Sequence, residues 1–374
     1  LKGSWALAVI MTGHDSIMVA RNGAPLIIGR GNMKICVSSD VLPFYGGCSE
    51  VAYLNEGDVL SISIDSIICP ESKQTPVFEP LEGVYEPEDA GVYNDLMLKE
   101  IFDQPISLSN ALSGRISADG LSAELSGFSL TPDEMRKLSH INLVACGTAY
   151  YAAKIGVHFI QRITSVKAQA FRASEFPSRN VCDSSTLTIG ISQSGETKDT
   201  LDALQEARLS GSKIASLCNV IGSTIPRFTK NGAYLYAGPE YAVASTKAFT
   251  NMVSILLLLS ITISSISESK RRNIVQELRE LPNRISQNLR EDDGSIEKAV
   301  RILEDANSAI FIGRGISSPL SEEGALKMME VAYLPCLAYP GGELKHGPIA
   351  LIEPGTPVIA IAPTDETFHL MESS

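Results

Sequence analysis

From about Ile141, short apolar segments alternate with longer amphipathic ones. The short segments have the length of strands and read INLVAC, SVKAQAF, TLTIGI, KIASLCNV and AYLYAG. The longer segments have the length of helices and read AYYAAKIGVHFIQRI, DTLDALQEAR and STKAFTNMVSILLLLSI. This alternation predicts an α/β fold in three layers, with a parallel sheet that is covered by helices on both faces. Ligands of such folds bind beyond the carboxyl ends of the strands.

The pattern starts a second time after a charged helical segment. SAIFIGRGISSP, at 308–319, resembles NLVACGTAYY, at 142–151, in its order of strand, glycine turn and helix. We therefore expect a tandem duplication. The first α/β unit is expected at 132–270 and the second at 300–374, where the second copy is truncated after its strand PVIAIA.

The first part of the chain has a different character. Residues 1–68 contain several β-patterned runs separated by Gly, Asn and Pro, and no predicted helix. We expect a β-sheet block here, whose covering layer lies upstream of Leu1. Residues 69–131 are expected to form a linker and a connecting helix: the acidic, proline-containing segment 71–95 is a linker or surface loop, and the helix begins near Leu96.

Composition excludes several classes of function. The formal net charge is −12 and no run of five basic residues occurs, so we expect no nucleic-acid partner. The seven cysteines form no CxxC pair, which argues against a zinc site or a disulfide framework and fits a reducing cytoplasm. The most apolar segment, 248–266, is interrupted by Ser and Thr, so we expect a buried helix and no membrane partner.

A polar segment between a strand and a helix indicates the class of ligand. SQSGET, at 192–197, follows TLTIGI and precedes DTLDALQEAR. Such a junction places hydroxyls and unpaired backbone N–H groups at the positive end of a helix dipole, which suits a phosphate monoester; the alternative is a plain structural cap. Thr148, after the first strand, and Ser245, before the apolar helix, are weaker candidates, because each also fits a turn or an N-cap.

Charged residues in the second unit suggest proton transfer. Glu323, Lys327 and Glu330 are spaced at i, i+4 and i+7 and share one helix face, which is usually a surface salt-bridge stripe. Because the neighbouring residues are apolar, this face is also a candidate wall of a cleft. Sixteen residues after Glu330, His346 stands on a glycine-introduced turn, GGELKHGP. A carboxylate, a lysine and a histidine near a sugar phosphate suit proton transfer next to a carbonyl.

Taken together, these segments resemble the glucosamine-6-phosphate synthase family, the isomerising glutamine–fructose-6-phosphate aminotransferases. The motifs that carry the resemblance are ACGTAY, SQSGETKDTL, VASTKAFT, EEGALKMMEVAY and ELKHGP, in this order. The resemblance covers essentially the whole chain. It implies tandem sugar-isomerase (SIS) domains, preceded at 1–68 by the C-terminal half of a type-2 glutamine amidotransferase domain of the N-terminal-nucleophile class.

The resemblance also implies a reaction. Members of the family convert D-fructose 6-phosphate and L-glutamine to D-glucosamine 6-phosphate and L-glutamate, the first step toward UDP-N-acetylglucosamine. They use no metal or organic cofactor, and a homodimer is implied. The family's N-terminal cysteine and its C-terminal lysine-bearing tail do not occur in 1–374, so we expect this chain to release no glutamate from glutamine. The alternative function is a non-enzymatic SIS protein that binds sugar phosphates.

Carried over by motif, the resemblance assigns roles to individual residues. Glu330 moves a proton between C1 and C2 of the sugar, Lys327 supports Glu330, and His346 opens the sugar ring, from the neighbouring subunit. Ala149 stands where the family often has serine. The residues implied to lie at or near the phosphosugar are Thr148, Ser192, Gln193, Ser194, Thr197, Val243 and Ser245.

Overall fold

The N-terminal part consists of two four-stranded antiparallel sheets. The computed structural model describes residues 1–45, 47–69, 75–81, 90–291 and 293–373, so much of the expected linker at 71–95 lies outside the described residues. The sheet orders are β1-β2-β6-β7 and β4-β3-β5-β8. The strands are β1 (Trp5–Ile10), β2 (Ile17–Asn22), β3 (Ile27–Gly31), β4 (Lys34–Ser38), β5 (Glu50–Tyr53), β6 (Val59–Ile62), β7 (Ile67–Ile68) and β8 (Glu79–Pro80).

The inner faces of these two sheets cover each other. Val19 and Leu60 from one sheet and Ile28 from the other are buried in a shared core. A second sheet therefore supplies the covering layer on this side, whereas the sequence led us to expect a layer upstream of Leu1. The outer face of β1 remains exposed at Leu7 and Val9.

Two helices connect this block to the first α/β unit. Helix α1 (Leu96–Leu112) is capped at its N-terminus by Asp95. The Asp95 side chain accepts a hydrogen bond from the backbone N–H of Leu98 at 2.7 Å. Helix α2 (Pro132–Arg136) begins with a capping box between Thr131 and Glu134. The connecting helix predicted from Leu96 is therefore present.

The first α/β unit contains a five-stranded parallel sheet in the order β10-β9-β11-β12-β13. Its central strand, β11, is buried along its whole length, as expected for a strand covered on both faces. The parallel three-layer α/β architecture predicted for this unit is confirmed. The strands are β9 (His140–Ala145), β10 (Lys167–Arg172), β11 (Thr186–Ser192), β12 (Lys213–Cys218) and β13 (Gly232–Tyr234). The helices are α3 (Gly147–Ile163), α4 (Ser178–Val181), α5 (Lys198–Leu209), α6 (Thr224–Thr229) and α7 (Lys247–Thr262).

Helices α3 and α7 pack together on one face of this sheet. They meet closely at Gly156, where an added Cβ would lie 2.8 Å from a methyl carbon of Leu256. Helix α5 covers the other face, where Leu204 packs against Val144. Because the side chains of a strand alternate between faces, neighbouring residues of β9, such as Leu143 and Val144, enter different cores.

The second α/β unit repeats the order of strand, glycine turn and helix that the sequence predicts. Its three-stranded parallel sheet has the order β15-β14-β16, and β15 was not foreseen from the sequence. A long helix precedes it and packs against α1. These elements are α8 (Glu268–Arg290), α9 (Ser295–Leu303), β14 (Ala309–Gly313), α10 (Ser317–Ala332), β15 (Cys336–Pro340), β16 (Val358–Ile361) and α11 (Phe368–Glu372).

The apolar segment 248–266 contains α7, as predicted, and this helix is part of the core of the first unit. Over the ranges of the chain that the structure describes, no helix has both the length and the apolar character needed to cross a membrane.

The α3–α7 contact gives a test of the packing. We expect Leu256→Ala to lower the free energy of unfolding by about 2–5 kcal/mol, because Leu256 is fully buried (0% exposed) and its removal leaves a cavity beside Gly156. Leu209→Ala is the matched control, since Leu209 at the end of α5 is 81% exposed and should change stability by less than about 0.5 kcal/mol. Urea unfolding followed by circular dichroism measures both; equal effects would contradict the packing described.

Candidate functional site

The register of the central strands places three loops at one edge of the first sheet. Ile191 on β11 lies opposite Ala145 on β9, so both strands end at the same level. The loop after β9, the segment 192–197 after β11 and the turn before α7 surround a cavity of about 160 Å³. The residues that line it are Cys146, Thr148, Ala149, Ile191, Ser192, Gln193, Ser194, Thr197, Ser245 and Met252.

This lining includes six of the seven residues named from the sequence as substrate-binding, namely Thr148, Ser192, Gln193, Ser194, Thr197 and Ser245. Val243 is the exception, because its side chain is 95% exposed and is not part of the cavity wall. The structure therefore brings together residues that are about 100 positions apart in sequence.

Hydrogen bonds within 192–197 hold the hydroxyls of this segment in place. Ser192 Oγ lies 2.9 Å from Thr197 Oγ1 and accepts the backbone N–H of Gly195 at 3.0 Å. Ser194 Oγ accepts the backbone N–H of Glu196 at 3.2 Å. Helix α5 begins directly afterwards at Lys198, so its N-terminal backbone dipoles point toward the cavity. Hydroxyl donors and a helix N-terminus together suit an anionic oxygen group.

Glycine is required at position 195 for two reasons. Its φ of +68° is in the left-handed region that disfavours other residues. An added Cβ would also lie 1.9 Å from Ser223 Oγ, because the turn before α6 packs directly on the loop. The loop is further tied to that turn by Glu196, whose carboxylate accepts the backbone N–H of Thr224 at 2.8 Å. Burial raises the pKa of Glu196.

A cluster of charged residues joins the cavity to the second α/β unit. The hydroxyl of Thr148 donates to Glu323 Oε1 at 3.0 Å and accepts from Lys327 Nζ at 3.0 Å. Lys327 Nζ also donates to Glu330 Oε2 at 2.6 Å. The stripe on α10 that the sequence singled out thus faces the first unit. A chain of two hydrogen bonds leads from the cavity wall at Thr148 to the carboxylate of Glu330.

Glu323 is the member of this cluster to which sequence reasoning gave no role. It is buried, and desolvation raises the pKa of its carboxyl from 4.5 to about 7, although Lys327 and the Thr148 hydroxyl act in the opposite direction. The sequence signal that could have indicated a role for Glu323 was its spacing of four residues from Lys327. Nothing in the sequence showed that the interface between the two units would bury it.

His346 lies apart from the cavity. It follows the short 3₁₀ segment Gly341–Lys345, its backbone N–H donates to Glu343 O at 2.9 Å, and its side chain is exposed. Among the described residues it is not part of the cavity wall. A role for His346 within one subunit is therefore not supported by this geometry, and its action from a neighbouring subunit remains a prediction.

The turn before α7 is held by acidic residues to which the sequence gave no role. Ser245 was considered as an N-cap, but the helix begins at Lys247, after Thr246, and neither side chain caps it. Instead, Glu240 Oε1 accepts the backbone N–H groups of Thr246 at 2.8 Å and Ala248 at 3.2 Å. The buried ammonium of Lys247 lies 3.2 Å from Asp103 Oδ2 on α1.

Within the part of the chain that the structure describes, no three or more His, Cys, Asp and Glu side chains are grouped so that they could hold a metal ion. The polar groups that surround the cavity are mainly hydroxyls, an amide and the lysine-containing cluster on α10.

The fold and the cavity define an α/β protein whose candidate ligand site lies at the carboxyl edge of a parallel sheet. The sequence model of the SIS domain matches residues 134–262 and 302–374, which together are more than half of the 374 residues. The chain therefore belongs to the SIS domain family.

Curated relatives are more specific. The chain is 38% identical to the isomerising glutamine–fructose-6-phosphate aminotransferase of Chlorobaculum tepidum, over 98% of this chain and 61% of the relative. It is 36% identical to the protein of the same name from Bacteroides thetaiotaomicron, over 96% of this chain and 60% of the relative. The chain thus spans about three fifths of the length of these relatives. They carry the name of the family that the motifs resemble, which confirms the resemblance.

Solved structures agree with this assignment. The C-terminal domain of glucosamine-fructose-6-phosphate aminotransferase from Francisella tularensis is 33% identical and superimposes with a TM-score of 0.72, over 77% of this chain and 81% of that one. The structure described as a phosphosugar isomerase of unproven function from Silicibacter pomeroyi shares the fold, with a TM-score of 0.62 over 74% of this chain and 81% of that one, at 22% identity.

The pKa of Glu323 gives a prediction about pH. Because the folded-state pKa of about 7 is above the ordinary 4.5, the protein favours the neutral carboxyl, and this contribution to stability is lost as pH rises through 7. Relative to Glu323→Gln, the wild-type free energy of unfolding should fall by up to about 3 kcal/mol between pH 4.5 and about pH 8. Urea unfolding across this range measures the difference.

Glu297→Gln is the control for this experiment, because Glu297 is exposed on α9. Its stability curve should run parallel to that of the wild type. If the curve of Glu323→Gln also runs parallel to that of the wild type, Glu323 titrates as an ordinary exposed carboxyl and the raised pKa is wrong.

Proposed function

We propose that this chain carries the sugar-converting site of an isomerising aminotransferase, which makes D-glucosamine 6-phosphate and L-glutamate from D-fructose 6-phosphate and L-glutamine. The observation that carries the proposal is the hydroxyl of Thr148. It lies on the wall of a cavity suited to a phosphate and is hydrogen-bonded to the Lys327–Glu330 pair. The names of the curated relatives support the same activity.

The phosphate of the sugar binds at 192–197. Ser194 and the Ser192–Thr197 pair offer hydroxyl donors there, and the N-terminus of α5 adds a favourable electrostatic potential. Gln193 lines the same wall and adds an amide. The 192–197 side of the cavity thus holds the phosphate, which does not react. The carbonyl end of the sugar extends toward α10.

Glu330 acts as the base at the carbonyl end. It removes a proton from C1 of the open-chain, ketose-derived substrate and returns it to C2. The proton of the C1 hydroxyl passes to the oxygen or nitrogen on C2, so the double bond moves from C2 to C1 and the aldose form results. Lys327, at 2.6 Å from Glu330, orients that carboxylate and places positive charge beside the oxygen on which negative charge develops. His346 opens the sugar ring, and because it lies away from the cavity in one subunit, we assign it to the site of a dimer partner.

We assign 1–68 to the C-terminal half of a type-2 glutamine amidotransferase domain, 69–131 to a linker and connecting helix, 132–270 to the first SIS domain and 300–374 to part of the second. Two packed antiparallel sheets in the first of these segments are compatible with that assignment. Glutamine supplies the nitrogen in the full-length protein, no cofactor takes part, and the reaction takes place in the cytoplasm.

Hydrogen exchange at the sugar tests the chemistry. In D₂O, the wild-type chain with fructose 6-phosphate should incorporate deuterium at C1 of the ketose and at C2 of the aldose formed from it, which proton NMR detects. Glu330→Gln should slow this exchange by about 10²–10⁴-fold, because an amide cannot accept the proton. Its affinity for fructose 6-phosphate, measured by calorimetry, should stay within about threefold of the wild type.

Ser194→Ala is the complementary variant. It should weaken fructose 6-phosphate binding by about tenfold or more, because a hydrogen bond to a charged phosphate is lost, while exchange at saturating sugar stays close to the wild-type rate. Tight binding without any exchange in the wild type would instead support the alternative, a non-enzymatic sugar-phosphate-binding protein.

A further inference from the structure

We propose that Glu240 sets the hydrogen-bond polarity of the cavity: it holds the proton of the Ser245 hydroxyl, so that Ser245 faces the ligand only as an acceptor and receives a hydroxyl group of the sugar. This inference rests on the proposed function, since it concerns how the same cavity orients a sugar phosphate. Glu240 is accordingly a positioning residue that acts through Ser245.

The geometry around Glu240 leaves one arrangement of protons. Ser245 Oγ donates to Glu240 Oε2 at 2.8 Å, while Glu240 Oε1 accepts the backbone N–H groups of Thr246 and Ala248 at 2.8 and 3.2 Å. A carboxylate has only acceptor atoms, and a serine hydroxyl has a single proton. That proton is engaged with Glu240, which is itself buried, so the lone pairs of Ser245 are what remains for the cavity.

The part of the cavity wall formed by 192–197 has the opposite polarity. Ser194 Oγ accepts the backbone N–H of Glu196, so its own proton is free to donate. The Ser192–Thr197 contact uses one of two hydroxyl protons and leaves the other. The dianion of a phosphate monoester only accepts hydrogen bonds and matches these donors, whereas a sugar hydroxyl, which can donate, matches Ser245.

The arrangement therefore resists a reversed ligand. A phosphate placed at Ser245 would face a lone pair and the negative charge of Glu240 directly behind it. To donate to that phosphate, Ser245 would have to release a charge-assisted bond and leave a buried carboxylate oxygen unpaired. Hydrogen-bond polarity and charge together specify the orientation of a bound sugar phosphate, with the phosphate at 192–197 and a hydroxyl group at Ser245.

The test compares two probes, fructose 6-phosphate and inorganic phosphate, by calorimetry on the whole chain. Ser245→Ala should weaken fructose 6-phosphate binding by roughly 5- to 20-fold and leave inorganic phosphate binding within about twofold, because only a hydroxyl acceptor is lost. Glu240→Gln should also weaken fructose 6-phosphate binding.

Glu240→Gln has a second expected effect that a purely structural role would not produce. The amide oxygen must keep accepting from Thr246 and Ala248, so the amide nitrogen donates to Ser245 and frees the serine proton for the cavity. Inorganic phosphate binding should therefore become about 2- to 5-fold tighter. In the double variant Glu240→Gln, Ser245→Ala, this gain should disappear.

Glu100→Gln is the matched control. Glu100 Oε1 accepts the backbone N–H groups of Tyr241 and Ala242 in the same turn at 2.6 and 3.1 Å, and an amide oxygen keeps both bonds. Glu100→Gln should leave the affinities for fructose 6-phosphate and for inorganic phosphate within about twofold of the wild type. Melting temperatures verify that every variant is folded. If Glu240→Gln does not fold, Ser245→Ala still tests the inference, because it removes only one oxygen atom.

The outcomes separate this inference from the function beneath it. Equal weakening of both probes by Ser245→Ala would make Ser245 a phosphate donor and overturn the polarity assignment, as would equal effects of Glu240→Gln and Glu100→Gln. A wild-type chain that binds inorganic phosphate as tightly as fructose 6-phosphate would contradict the proposed sugar-phosphate substrate itself.

Discussion

The hydroxyl of Thr148 is the contact on which the site depends, because it belongs to both α/β units at once. It follows β9, lines the cavity of the first unit, and exchanges hydrogen bonds with Glu323 and Lys327 on α10. If α10 lay a few ångströms away, the hydroxyls of 192–197 would still line the cavity, but the Lys327–Glu330 pair would no longer be hydrogen-bonded to its wall. The packing of α10 on α3 therefore makes the cavity a candidate reaction site as well as a candidate binding site.

Much of this architecture could be predicted from local sequence patterns. The strand–helix alternation predicted the parallel sheet, and the segment 192–197 between a strand and a helix predicted a site for an anion at the sheet edge. Both predictions use only residues that are close together in the sequence. The charged stripe on α10 was also recognisable, because its spacing of three and four residues is a property of one helix.

The features that escaped prediction depend on distant residues. Strand β15 has no alternating pattern of its own and is a strand because it pairs with β14. Glu240 occurs in a loop sequence without helical or strand periodicity, and its function as the cap of α7 appears only in three dimensions. The burial of Glu323 arises from an interface between two units that are separated by the long helix α8, and no sequence pattern records such an interface.

Gly195 has a consequence for how rigid the loop 192–197 can be. The turn before α6 leaves no room for a Cβ at position 195, and the Gly195 carbonyl accepts the backbone N–H of Ile225 at 2.9 Å. The loop and the first turn of α6 are therefore expected to move together. Helix α6 does not line the cavity, yet any shift of its first turn displaces the hydroxyls that do. The positions of the cavity hydroxyls in 192–197 thus depend on the six-residue helix α6.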